Sequence, residues 1–258
     1  MSSSYKTIKL KNKQHIAWII LDRADKLNAI NSVMLQELSN ALDMIEKDEN
    51  TRCVIFVSNG EKAFSAGADL TELCSLTPET AAQFSIKGQQ VFTKIEACSK
   101  PVIAAIKGYA LGGGLELALA CDFRIASDNA ELGCPEIKLG LVPAWGATQR
   151  LPAVVGVSNA KQLIMTGDTI QANEALKIGL VDKVVPSNEL EADVEGLAQK
   201  LVKHSPVALK YAKLAVNSVA QSLFDCGLKK ETEDFALLFS EKETKERIEA
   251  FVSQRNKK

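Results

Sequence analysis

The chain has 258 residues, enough for one large domain with an appendage and for a core that needs no covalent staples. Lys and Arg number 31 against 32 Asp and Glu, a formal charge of −1, so no general field favours nucleic acid or an anionic membrane surface. Six cysteines form no CxxC pair, and only His15 and His204 could assist them, which argues against a metal site and for small core residues in a reducing compartment.

The start, Met-Ser-Ser-Ser-Tyr-Lys, has no apolar signal region, and no uninterrupted apolar run reaches membrane-spanning length. A soluble, cytoplasmic protein is expected. Ile16 to Leu21 is an apolar run rich in β-branched residues and reads as a strand. Over 32–48, Leu35, Leu38, Leu42 and Ile45 recur at helical spacing, with Asn31 or Ser32 as N-cap. Cys53 to Val57 reads as a second strand, ended by Asn59-Gly60. A helix over 79–98 runs through Phe84, Val91, Phe92 and Ile95 despite Gly88, and Pro101 to Ile106 is a third strand. Strands alternating with helices imply an α/β fold with parallel strands and crossover helices. After Pro186 only helical patterns appear, at 188–203, 207–219, 223–239 and 242–252. An α/β body over 1–190, followed by a helical region over 191–258, is the expected organisation. The helical region must bury its apolar faces on the body or on other subunits.

Three stretches carry candidate chemistry. Gly112-Gly113-Gly114 follows the third strand and precedes the helix-forming run from Leu115 to Ala120. Such a turn exposes unpaired N–H groups that can stabilise an oxyanion, one donor being worth about 3 kcal/mol. It is neither GxGxxG nor a phosphate-binding Gly-Lys-Ser/Thr turn. The alternative is close packing of strand on helix. Glu116 sits in that apolar run, where a buried carboxylate needs a partner or a task; an exposed face or a structural ion pair is the other reading. Phe64-Ser65-Ala66-Gly67-Ala68-Asp69 is small enough for a ligand to approach its backbone, or is simply a loop entering a helix. Glu136 follows Pro135, which makes either a stiff mount or an ordinary turn.

In this order the pieces resemble the crotonase superfamily, the enoyl-CoA hydratase and isomerase group. The resemblance is carried by Arg23-Ala24-Asp25-Lys26-Leu27-Asn28-Ala29, Ala63 to Asp69, Lys100 to Ala105, Gly108 to Glu116, Cys121-Asp122, Pro135-Glu136 with Leu139-Gly140, and Thr148-Gln149-Arg150-Leu151-Pro152. It implies a crotonase-like spiral of ββα units with a C-terminal helical region that builds homotrimers, commonly paired into hexamers. It implies an acyl-CoA thioester substrate whose carbonyl sits between the N–H groups of Ala68 and Gly113. Glu116 matches the glutamate that activates water for attack at C3, and Glu136 the one that delivers the C2 proton. Coenzyme A belongs to the substrate, and no separate cofactor or metal is implied. Coenzyme A contacts map onto Lys26, Leu27, Ala66, Asp69, Leu70 and Thr71. Family isomerases typically lack the carboxylate at position 116, so hydration or dehydration is favoured. Phe84-Ser85-Ile86-Lys87-Gly88, Lys94-Ile95-Glu96-Ala97 and Leu115 to Asp122 are especially similar to archaeal-type 3-hydroxypropionyl-CoA dehydratases that also hydrate crotonyl-CoA, and that resemblance implies carbon fixation rather than fatty-acid oxidation.

One loop departs from the family pattern Pro-Gly-(small or aromatic)-Gly-Gly-Thr: here it reads Pro143-Ala144-Trp145-Gly146-Ala147-Thr148. Alanine at 144 or 147 would be strained at positive φ. Trp145 either shortens the acyl pocket, favouring three- or four-carbon substrates, or packs into the core. Competing functions are a double-bond isomerase, a thioester hydrolase, or a member that has lost catalysis and binds RNA. A serine hydrolase is disfavoured, since GxSxG is absent.

Overall fold

The computed structural model describes residues 5–218 and 221–255. Residues 1–4 and position 219, the expected end of the second C-terminal helix, lie outside that description. Two sheets organise the chain. The larger contains β1 (Ile8–Lys13), β2 (Ile16–Leu21), β3 (Cys53–Ser58), β5 (Val102–Ile106), β7 (Phe123–Ser127) and β10 (Lys183–Val185), adjacent in that order. All its pairings are parallel except β1 with β2. The smaller contains β4 (Ala63–Ser65), β6 (Tyr109–Leu111), β8 (Glu131–Gly133) and β9 (Thr169–Gln171), again in order, with only β8 and β9 antiparallel.

Strands β3 and β5, at the middle of the larger sheet, are buried on both faces, so they are almost wholly apolar. Side chains alternate: Val54, Phe56, Ala104 and Ile106 enter one core, while Cys53, Ile55, Ile103 and Ala105 enter another. Helices α1 (Ser32–Lys47) and α3 (Pro78–Glu96) supply the first core, and α7 (Leu190–Leu201) supplies the second through Leu190, Val194 and Ala198. Asn31 is the N-cap of α1, its side chain accepting the Met34 N–H at 2.9 Å. Thr77 and Thr80 form a capping box on α3, with Pro78 in its first turn.

Strands β3, β5 and β7 of the large sheet each hand the chain to a short strand of the small one and then to helix. Strand β3 leads to β4 and then to α2 (Leu70–Leu73); β5 leads to β6 and then to α4 (Gly113–Leu119); β7 leads to β8 and then to a 3-10 turn at Pro135–Leu139. The order 3-5-7 in one sheet matches 4-6-8 in the other, which is a spiral of ββα units. The remaining helices are α5 (Ala147–Thr166), α6 (Ala172–Lys177), α8 (Pro206–Asn217), α9 (Gln221–Leu238) and α10 (Lys242–Arg255). Helix α5 is broken at Gly156, where φ is 77° and ψ 157°. Helix α9 packs back on α3 and α5, and α10 on the 3-10 turn and α2. No described helix is long and apolar enough to cross a membrane.

Candidate active site

The three chemically marked stretches are the turns that follow β4, β6 and β8, neighbouring parallel strands of the small sheet. Adjacent strands lie about 4.8 Å apart, so their carboxyl ends form one rim, where open α/β sheets receive ligands. A cavity of about 80 Å³ opens there. Ala66, Ala68, Gly113, Glu116, Glu136 and Trp145 all line it.

The glycine turn packs strand on helix at one residue and borders the cavity at another. A Cβ on Gly114 would lie 2.2 Å from the Ser65 carbonyl oxygen, so that glycine lets α4 press on β4. Gly113 instead faces the cavity: a Cβ there would stand 3.4 Å from the Ala68 nitrogen, and one on Gly67 3.5 Å from the Gly113 nitrogen. The Ala68 and Gly113 N–H groups are thus close neighbours. Among the described residues neither donates to a protein acceptor.

Glu116 is 2% exposed, on a helix whose seven residues are all buried. Its Oε1 accepts the N–H groups of Trp145 at 2.7 Å and Ala147 at 2.9 Å. Glu136 stands across the cavity on its Pro135-stiffened turn. A Cβ on Gly112, where φ is 49°, would lie 2.7 Å from Glu136 Oε1, so the glycine makes room for this carboxylate. Glu136 Oε2 is buried with no hydrogen-bond partner.

Burial comes first in pushing both carboxyls above their ordinary range. For Glu116 the charges of Glu231 and Glu136 add to it, and for Glu136 the charge of Glu231 does. Glu136 is pushed up to about 7. Two donors favour the charged form of Glu116, whereas Glu136 Oε2 has none, so a proton held by the pair sits best on Glu136. The geometry pairs a carboxylate with a carboxylic acid around two free N–H donors, a set suited to acid–base chemistry next to a carbonyl.

Trp145 packs into the core and also lines the small cavity. It is 1% exposed, packs against Phe84 and Phe92 with ring centroids 5.1 and 5.4 Å away, and donates Nε1–H to the Phe84 carbonyl at 3.3 Å. Its ring also walls the cavity beside Gly113. Gly88 now has a reason: a Cβ there would meet the indole at 2.1 Å, so α3 omits a side chain where the ring lies. The feared alanine strain is absent, because Gly146 alone in the loop has positive φ, at 112°.

The other predicted contacts divide. Lys26, Asp69, Leu70 and Thr71 line a second cavity of about 240 Å³, and Leu70 lines the first as well, so the two adjoin. Asp69 is occupied structurally: it pairs with Arg23 at 2.9 Å and caps α2 by accepting the Thr71 N–H at 3.0 Å. Burial pushes its carboxyl up, but Arg23 and the Thr71 N–H outweigh that and hold it low. Leu27 lines neither cavity; its carbonyl accepts the Ala66 N–H at 3.0 Å, tying the Arg23–Ala29 segment to the rim. A larger cavity, about 450 Å³, lies elsewhere, between the body and α8, and holds none of the predicted residues. Four of its charged residues pair with one another, Lys213 with Asp122 and Arg150 with Glu96, each at 2.8 Å.

Sequence reading passes over Glu231, Phe235 and Phe84. Glu231 lies within Lys229-Lys230-Glu231-Thr232-Glu233-Asp234, which reads as a solvated charged run. The available signal was its place on the helical stripe Leu228, Glu231, Phe235 and Phe239. In the structure Glu231 is 3% exposed, and Phe235 lines the smaller cavity.

A ββα spiral with a buried carboxylate pair facing two backbone donors defines an acid–base enzyme acting beside an activated carbonyl. Comparison with known proteins names the family: the enoyl-CoA hydratase/isomerase profile matches residues 11–258, and the chain belongs to that family. It is 44% identical over 246 residues to the short-chain-enoyl-CoA hydratase of Clostridium acetobutylicum, covering 95% of this chain and 94% of that one. It is 41% identical over 252 residues to the crotonyl-CoA hydratase of Syntrophomonas wolfei, covering 98% and 97%. The crystal structure of an enoyl-CoA hydratase from Bacillus anthracis superposes with a TM-score of 0.81 at 39% identity, over 96% of this chain and 97% of that one.

Proposed function

We propose that this chain catalyses the reversible hydration of short-chain 2-enoyl-CoA thioesters to 3-hydroxyacyl-CoA, as crotonyl-CoA hydration, 3-hydroxypropionyl-CoA dehydration or both. The observation that carries this reading is the facing of Glu116 and Glu136 across one small cavity rimmed by the Ala68 and Gly113 N–H groups. The thioester oxygen lies between those two donors, which stabilise the charge it gains as C3 is attacked. Glu116, ionised, takes a proton from water as the oxygen bonds to C3. Glu136, protonated, gives its proton to C2. One water is added, and the proton left on Glu116 returns to Glu136 to reset the pair. The addition is redox-neutral and its atoms balance with water alone; coenzyme A is part of the substrate.

The acyl chain occupies the small cavity against Trp145, and the carrier runs through Leu70 into the cavity lined by Lys26 and Thr71. The modest volume and the Trp145 wall support acyl groups of three or four carbons. Helix α8 buries no residue and exposes Val207, Tyr211 and Val216, which supports assembly into trimers or dimers of trimers in the cytoplasm. The test is kinetics on three- to eight-carbon enoyl-CoA and 3-hydroxyacyl-CoA thioesters. Turnover highest at three to four carbons, yielding 3-hydroxyacyl products, is expected. A shifted double bond without added water would instead mark an isomerase.

A further inference from the structure

We infer that Glu231 is a positioning residue: reaching in from α9, it locks the Trp145–Thr148 loop from the side opposite Glu116 and so fixes where Glu116 stands. The inference rests on the hydratase reading above and deepens it.

Four successive N–H groups of this loop alternate between two carboxylates. Trp145 and Ala147 donate to Glu116 Oε1 at 2.7 and 2.9 Å. Gly146 and Thr148 donate to Glu231, at 2.7 Å to Oε1 and 3.1 Å to Oε2. The loop is a plate one peptide thick with a carboxylate on each side. If it moves, Glu116 loses its only two loop donors, and its carboxylate swings relative to the Ala68 and Gly113 N–H groups.

Every further group that meets Glu231 also donates. Gln89 Nε2 reaches Oε1 at 3.1 Å, and the Thr148 hydroxyl donates to Oε2. A glutamine at 231 would turn an NH₂ toward donors on one side or the other, so the position demands a carboxylate and not merely a polar side chain. Thr148 and Gln89 belong to the body, whereas Glu231 belongs to the C-terminal region. The catalytic geometry therefore depends on α9 being docked.

The surrounding titratable and charged groups are Glu116 on α4, Glu136 on the 3-10 turn, Cys134 before it, and Arg150 on α5, which donates to the Trp145 carbonyl at 3.1 Å and pairs with Glu96. Repulsion from Glu231 helps hold both site carboxyls above their ordinary range, so removing its charge moves the pH limb they govern to lower pH. A purely structural role would lower the melting temperature and the folded fraction but leave kcat per folded enzyme and the pH limb in place.

The test measures kcat and KM for crotonyl-CoA against pH, with the folded fraction, for wild type, Glu116→Gln, Glu231→Gln and Thr148→Val. Glu231→Gln is expected to lose roughly 10- to 100-fold in kcat with KM nearly unchanged, and to shift the limb downward. Folded Glu231→Gln with wild-type kcat and an unmoved limb would overturn the inference. If Glu231→Gln does not fold, Thr148→Val decides, since it removes a donor to Glu231 and none to Glu116: a several-fold loss in kcat (roughly) supports the role, and no loss overturns it. A wild type silent on crotonyl-CoA removes the hydratase reading and this inference with it. An active wild type beside an unaffected Glu231→Gln overturns the role of Glu231 alone.

Discussion

The central strands of the large sheet, β2, β3 and β5, run five or six residues and bury nearly every side chain in one of two cores. Strands β4, β6 and β8 of the small sheet run three residues each, and apart from Phe64 and Leu132 the side chains they bury are small. The first sheet contributes apolar area and stability. The second contributes less, yet its three carboxyl ends present Ala68, Gly113 and Glu136 to one cavity. A rim of short strands places backbone N–H groups and a carboxylate in register because neighbouring strands share a fixed spacing. The long sheet fixes that rim in place through the repeated β-to-β handover. Stability and chemistry are thereby assigned to different layers, and mutations in the two should fail in different ways.

The largest effects belong to the small-sheet rim. Glu116→Gln and Glu136→Gln should each lower crotonyl-CoA hydration by about 10²- to 10⁴-fold while the melting temperature holds or rises. The large sheet should answer in the opposite way. Phe56, fully buried in β3, should cost about 3–5 kcal/mol on truncation to alanine, read by denaturant unfolding, with kcat per folded enzyme nearly unchanged. A loss of kcat in folded Phe56→Ala would erase the division between the layers.

Trp145 straddles the division, since it packs on Phe84 and Phe92 and also walls the small cavity. Trp145→Ala should therefore show both signatures: a lower melting temperature, and a rise of about tenfold in kcat/KM for six-carbon relative to four-carbon enoyl-CoA. No gain on the longer chain would confine Trp145 to the core.

The rim should also carry the pH dependence. Glu136, lifted to about 7, must hold its proton to protonate C2, so the hydration rate should fall as pH rises through about 7. The same shift acts on stability. Because the folded pKa lies above the unfolded one, its stabilising contribution is complete below the ordinary carboxyl range and is lost as pH rises through about 7. Wild-type melting temperature should drop between pH 5 and pH 8, and Glu136→Gln should flatten that drop. Smallest of all, Lys26→Ala at the mouth of the carrier cavity should raise KM about two- to fivefold and leave kcat alone.

The same division explains what can be read from sequence. Ile16–Leu21, Cys53–Ser58 and Val102–Ile106 announce themselves as unbroken apolar runs, and α1 and α3 by their periodicity. The small sheet gives no such sign, because three residues cannot display a period. Strand β7 is hidden by Arg124, whose guanidinium reaches the carbonyls of Leu180 and Cys121. Helix α5 is hidden by Pro152 and the break at Gly156. The site was legible only as ordered motifs of small residues and glutamates that resemble a known family. Periodicity alone left Glu116 and Glu136 undecided. Glu231 escaped altogether, since its burial depends on how α9 docks, a long-range fact that its charged neighbours conceal.

The most direct test of the central claim follows the conjugated enoyl-thioester absorbance after wild type, Glu116→Gln or Glu136→Gln is mixed with crotonyl-CoA. The paired glutamates at the rim predict a rapid fall to an equilibrium plateau with wild type, 3-hydroxybutyryl-CoA as the product, and an almost flat trace with either folded variant. No fall with wild type, or a wild-type rate with either variant, would contradict the account.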